Sequence, residues 1–361
     1  MKQRISPGLV VPLAFFAGAI PSIRAQSPGS YALRDARIVT VSGPVIQHGT
    51  VVIRDGLISA AGDNITPPAD AWIIDCKGLT IYPGLIDALS NWGLTNTPSA
   101  AILTAGGRGA VASTPVVVVP APPARGPEDR PSTASWIKAA DQIFPADRNI
   151  ETARNGGFTS AVTFPGNNIF AGQGSVINLA GDRAGQMVIA DSVGQMVTLR
   201  TNGFGGGYPG SVMGSIAYIR QIYLDAEHYK LAKSIYEKHP QGLARPAYDR
   251  TLEGVLASPR VLLPAIRAVE IERMVAFAKE LKVPVVLYGG HEAWRETDLL
   301  KESGIPVLIS LKYPERPRDA DPELDEPLRV LELRDKAPSA AGALAKGGVR
   351  FAFYSDGISA P

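Results

Sequence analysis

Between Tyr31 and Thr80 apolar and polar residues alternate with a period of two. The runs "ARIVTVS", "GTVVIRDGLISAAG" and "AWIID" are rich in β-branched residues and punctuated by Gly, Asp and Asn. That pattern predicts short strands joined by tight turns, a small β-unit rather than a barrel. A further strand-like run, Ile81 to Ile86, delivers the chain to Asp87.

From residue 149 the period changes. "NIETARNGGFTSAVTF" reads as a helix end, a Gly-Gly turn and a strand. "SIAYIRQIYLDAEHYKLAKSIYEKH" carries Ile216, Ile219, Tyr223 and Ala226 at helical spacing, and "VEIERMVAFAKELK" puts Ile271, Met274, Val275, Ala278 and Leu281 on one face. Buried-strand runs "VPVVLYGG" and "IPVLIS" flank "EAWRETDLLKESG", a helix predicted to end at Gly304. "SAAGALAKGG" followed by "VRFAFYSDG" repeats the unit. Strand, helix, strand at this spacing predicts a parallel sheet with right-handed crossovers. The fold class is α/β: a (β/α)8 TIM-like barrel with a small N-terminal β-sandwich-type domain, the alternative being a doubly wound open sheet. Chemistry in such a barrel belongs at the C-terminal ends of the strands.

Composition narrows the picture. With 361 residues, 45% hydrophobic and 19% charged, the chain can bury a sizeable core. A formal net charge of +2 with no block of like charge excludes a nucleic-acid field. The start, "MKQR" then "LVVPLAFFAGAIP" then "SIRAQS", reads as a signal peptide cut near Ala25, the alternative being a retained anchor, so the expected protein is exported, periplasmic or secreted, with no stable membrane span once the leader is removed. The expected organisation is a leader over 1–25, the β-domain over 26–80 and the barrel over 81–361, interrupted at 97–135 by a Pro/Ala/Gly-rich insertion, irregular and exposed. Cys76 is the single cysteine and reads as a small packing residue.

A β-unit ending in "IIDCKGLTIYPGLIDA" and feeding a barrel whose last unit ends "FAFYSDG" resembles the amidohydrolase superfamily, with "GGHEAWRETDLLKESGIPVLIS" similar to the sixth strand, helix and seventh strand of its imidazolonepropionase-like group. The resemblance covers about residues 31 to 361 apart from the insertion, and the C-terminal strands that complete the family's β-domain have no counterpart before Pro361. It implies a metal-dependent hydrolase of carbon–nitrogen, non-peptide bonds, in which zinc lowers the pKa of a bound water and polarises the substrate.

The same resemblance implies ligand positions, and most hold other residues. Leu89 and Asn91 stand where a His-x-His pair would end strand 1; Pro264 or Ile266 takes the strand 5 position and Gly289 the strand 6 position. Gly290, Glu292 and Ala293 fix that register, leaving His291 at a variable position, and the bridging lysine of strand 4 has no assignable counterpart. Asp356 falls on the aspartate that binds metal and shuttles a proton; as Ser-Asp-Gly after a strand it also fits an ordinary turn. The candidate site is therefore Asp356 as catalytic and metal residue, with Asn91 and His291 toward substrate. Zinc is the cofactor the family implies, weakly held or absent with these residues.

Little else competes. His48, read at a hairpin, and His228 and His239 have no second ligand at metal spacing; "NGFGGGYPGSVMG" is no phosphate loop; and Gly-x-Ser-x-Gly is missing. Tyr208, Ser211 and Arg220 are further guesses for the barrel mouth. Two functions stand: a hydrolase with a degraded metal site, or an inactive exported relative that binds a small-molecule ligand or a partner, such as an active paralogue.

Overall fold

A computed structural model describes residues 29–94, 126–166, 168–201, 207–316 and 325–357. The leader with its cut near Ala25, and residues 97–125 of the insertion, lie outside these. The chain divides into two compact units between Pro83 and Gly84.

The first unit is one five-stranded sheet built from β1 (Ser30–Ile38), β2 (Ile46–Arg54), β3 (Leu57–Gly62), β4 (Trp72–Asp75) and β5 (Thr80–Ile81). The Asp55-Gly56 pair has positive φ at both residues, 51° and 80°, the backbone a tight hairpin requires between β2 and β3. On the other side of β1, β4 and β5 pair in parallel. Ala36, Ile38, Val51 and Cys76 form its buried cluster, so Cys76 packs as expected. Two sequence expectations are corrected. Among the described residues the unit is a single sheet rather than a sandwich. His48 lies inside β2, not at the hairpin, with its ring 3.0 Å from the Asp35 carboxylate.

The second unit carries an eight-stranded sheet in the order β13-β12-β11-β10-β9-β8-β7-β6. Its strands are β6 (Leu85–Ser90), β7 (Phe158–Thr163), β8 (Phe170–Asn178), β9 (Val188–Val197), β10 (Val261–Ala265), β11 (Val285–Gly289), β12 (Val307–Ser310) and β13 (Phe351–Tyr354). Because β13 packs beside β6, the sheet is nearly closed into a barrel. Helices α1 (Arg148–Asn155), α2 (Ala184–Met187), α3 (Val212–Lys238), α4 (Arg250–Ala257), α5 (Ala268–Leu281), α6 (Thr297–Ser303), α7 (Leu328–Lys336) and α8 (Ala340–Gly347) punctuate it. No described helix is long and apolar enough to cross a membrane.

The two faces of each strand separate the core into layers. Val261, Leu263 and Ala265, with Val285, Leu287, Val307 and Ile309, point outward onto α3 and α5, whose Tyr218, Ile219, Ile222, Ile271, Met274 and Val275 complete one cluster. The alternate residues Leu262, Val286, Tyr288 and Leu308 point inward and meet Leu89, Phe164 and Tyr354. This period-two split is what a continuous apolar run between two packed faces produces.

Three expectations about this unit need correction. The strand expected at Ile81–Ile86 is displaced to Leu85–Ser90, because Pro83 has no N–H to donate and Gly84 passes so close to β7 that a Cβ there would collide with the Thr159 side chain. The sheet is not wholly parallel, since β8 runs against both neighbours. The segment between β7 and β8 is too short for a crossover helix and turns back as a hairpin. Finally, the end of the expected insertion is not exposed. Ala134 and Ser135 are buried; the Ser135 hydroxyl donates to the Thr251 carbonyl at 2.6 Å, and the Gln173 amide donates to the carbonyls of Ser135 and Gly254.

Candidate functional site

The segments leaving β6, β7, β9 and β13 surround a cavity of about 350 Å³ at the C-terminal mouth of the barrel. Its lining includes Leu89 and Ser90 at the end of the first strand and Asn91 after it, Phe164 after the second, Met196 in the fourth with Thr198 and Arg200 beyond it, and Ser355 and Asp356 after the last. A barrel brings these together although the chain separates them by up to 268 residues, as between Asp87 and Ser355 just below. The floor is apolar, because Leu89, Phe164 and Met196 belong to the inward-facing layer. The rim is polar.

The loops of the mouth are held by specific hydrogen bonds. On the β6 side, Trp92 N–H donates to Ser90 Oγ, and Thr163 Oγ1 donates to the Trp92 carbonyl at 2.9 Å. Gly93 N–H reaches Asp147, the N-cap of α1, at 2.8 Å. On the β13 side the fastening is Asp87. This carboxylate is only 1% exposed and accepts three donors: the Leu89 N–H at 3.2 Å, the Ser355 N–H at 3.1 Å and the Ser355 hydroxyl at 2.5 Å. Asp87 thus clasps the first strand to the end of the last, across the one seam of the sheet that lacks a backbone ladder. Burial raises its pKa above the ordinary 3.8, against the pull of those donors.

Of the sequence-derived candidates, Asn91 and Asp356 share this cavity. Asp356 adopts a left-handed backbone, φ 54°, in the turn after β13, and its Oδ2 accepts from Ser310 Oγ at 2.9 Å. His291 does not line the cavity. Its ring lies beside Tyr313, with centroids 6.1 Å apart, makes a backbone hydrogen bond at Ser310, and leaves Nε2 buried without a partner. The guesses Tyr208, Ser211 and Arg220 do not line this cavity. Ser211 caps α3, Tyr208 packs on Tyr218, and Arg220 bridges α3 to α5 through Glu280 at 2.8 Å. His228 and His239 are exposed on α3 and at its end.

Burial holds the pKa of His291 below its ordinary 6.5, opposed by the Ser310 backbone and the charge of Asp356. A histidine depressed in the fold lends stability above its unfolded pKa, and that stability is lost as pH falls through the folded value. Urea unfolding at pH 7.5 and pH 5.5 is therefore expected to show a larger acid loss for the natural chain than for His291→Gln; equal losses would contradict this placement.

The metal positions of the resemblance can be tested against the geometry. Leu89 packs in the inner core, Pro264 sits within β10, and the Ile266 side chain is 46% exposed. Gly289 ends β11 with φ 114°, and a Cβ there would stand 2.9 Å from the Ala265 carbonyl oxygen. The neighbouring loop is laced to the end of β10: Gly290 N–H donates to Ala265 O, Glu292 N–H to Ile266 O, and the Glu292 carboxylate accepts from Ala268 N–H. Glu292 thereby anchors the start of α5. Among the described residues, no three of His, Cys, Asp and Glu stand close enough to share an ion.

Two residues of this site escaped the sequence reading. Asp87 left a signal, a carboxylate inside the apolar run "LIDAL", which burial would forbid without donors. Arg200 left none, since an arginine beyond a strand is ordinary.

No protein-family model matches the chain. An amidohydrolase from Thermotoga maritima MSB8 has a structure similar to it, with a TM-score of 0.69 and 25% identity over 92% of this chain and 80% of that one. The ochratoxinase of A. niger aligns over 91% of this chain and 77% of its own at 14% identity and a TM-score of 0.41, too distant to argue from. The enamidase of Eubacterium barkeri is 45% identical over 49 residues, which is 13% of this chain and 13% of the enamidase. The barrel has the fold of the Thermotoga amidohydrolase, and that likeness, with the short enamidase match, supports a place in the amidohydrolase superfamily.

Proposed function

We propose that this chain is an exported protein of the amidohydrolase superfamily, from its imidazolonepropionase-like group, whose barrel mouth receives a small substrate with a carbon–nitrogen bond other than a peptide bond. The observation that carries this reading is the cavity at the strand ends that Asn91 and Asp356 both line. Asp356 is the group there able to take a proton from water, and Asn91 offers an amide N–H to a substrate oxygen. The family's zinc has no fitting donor set: one carboxylate and one amide hold it poorly, and Leu89 and Gly289 offer nothing.

That same donor set favours a second reading, binding without turnover, with an active paralogue as partner. Metal analysis and a hydrolysis panel of lactams, imides and dipeptides separate the two. The secreted full-length protein should start at Gln26 by intact mass, and an intact Met1 would remove the export reading. Under the hydrolase reading, Asp356→Asn lowers turnover by about 100-fold or more. No hydrolysis anywhere in the panel would leave the binding reading, whereas near-stoichiometric zinc lost in Asp356→Ala would overturn the claim that the metal site is degraded.

A further inference from the structure

The mouth has two charged side chains among its lining residues, Arg200 and Asp356, and they carry opposite signs. Arg200 follows β9 and Asp356 follows β13, and β9 is four strands from β13 by either route round the sheet. The two residues therefore reach the mouth from segments that leave opposite sides of the sheet. Between them the floor is Leu89, Phe164 and Met196, apolar and part of the inner core.

The Arg200 backbone and the Asp356 carboxylate are each held from behind. The buried hydroxyl of Ser215 on α3 donates to the Arg200 carbonyl at 2.6 Å. Ser310 donates to the Asp356 carboxylate, and Asp87 fixes the residue before it. A guanidinium has five N–H donors in a planar fork, so Arg200 can engage a carboxylate alongside another partner.

We propose that the mouth is built for a small zwitterion: an anionic head on Arg200, a cationic or N–H-donating head at Asp356, and an apolar spine lying over Leu89, Phe164 and Met196. This rests on the reading of the mouth as the small-molecule site and names the class of molecule it takes. It does not require a metal or turnover. Opposed charges across an apolar floor select for head-to-head length, which neither charge alone could do.

Calorimetric titration of the full-length chain with ω-amino acids from β-alanine to 6-aminohexanoate tests it, with hexanoate and hexylamine as one-headed controls. Affinity is expected to peak at one length and to exceed both controls by about tenfold or more. Arg200→Gln and Asp356→Asn should each remove that advantage, and the charge-exchanged pair Arg200→Asp with Asp356→Arg should recover part of it. Both side chains are exposed, and unchanged unfolding temperatures show that the variants fold. Affinity independent of length, one-headed ligands binding equally well, or no binding by any member overturns the proposal. Failure of the hydrolase reading appears separately, as binding of the series without turnover of any panel substrate.

Discussion

Replacing Asp87 with alanine is expected to lower the stability of the barrel by about 3 kcal/mol or more, because it strands several buried donors at once. The Leu89 N–H, the Ser355 N–H and the Ser355 hydroxyl lose their acceptor in a place water does not reach, each orphan costing about 1 kcal/mol or more. The position magnifies the effect. Every other neighbouring pair in the barrel sheet is joined by a ladder of backbone hydrogen bonds, whereas β13 and β6 are joined here by one side chain. Asp87→Asn keeps one acceptor oxygen and should lose less, and Ser355→Ala, which removes the hydroxyl alone, about 1 kcal/mol. Urea unfolding of the three variants checks the order. A loss below about 1 kcal/mol for Asp87→Ala would show that the seam is held by something else.

Asp87 also illustrates how far the residues themselves disclose the protein. The barrel strands β11 to β13 were legible because each is an apolar run next to a helical pattern, and such runs have one stable use, between two packed faces. The turn at Asp55-Gly56 was legible for the same local reason. The antiparallel β8 was not, since its direction is set by the length of a connection rather than by side-chain period. Of the site, Asn91 and Asp356 were legible through the frame around them. Arg200 and Thr198 were not, because they reach the mouth only when the sheet curls round, and no local pattern marks a residue for a partner four strands away. His291 shows the opposite case. A histidine in a motif-like setting draws attention, yet its ring is held by Ser310 and Tyr313 outside the cavity lining.

The second large effect concerns Gly289. Rebuilding the family's strand 1 and strand 6 ligands by Leu89→His, Asn91→His and Gly289→His is expected to yield no stoichiometric zinc, and Gly289→His alone to cost about 3 kcal/mol. Two penalties combine at this position. The backbone lies at φ 114°, a region L residues rarely enter, and any Cβ would stand 2.9 Å from both the Ala265 carbonyl oxygen and Ile266. The strand cannot slide away, because the Gly290 and Glu292 N–H groups are bonded to the carbonyls of Ala265 and Ile266. Gly304→Ala provides the control. Its φ of 66° is also left-handed, but nothing lies within 4 Å of the added carbon, so it should cost only about 1 kcal/mol. The excess of Gly289→Ala over Gly304→Ala in urea unfolding then measures the clash together with the added strain of φ 114° over an αL backbone. At the other end of the proposed set, a histidine at Leu89 would place a polar ring among Phe164, Leu262 and Val286, trading a packed floor for an unpaired donor. If the triple variant folds and retains near-equimolar zinc after dialysis, the frame is still a metal site that lacks only its side chains. If it does not, the backbone at the end of β11 has itself departed from metal binding, which no single reversion can undo.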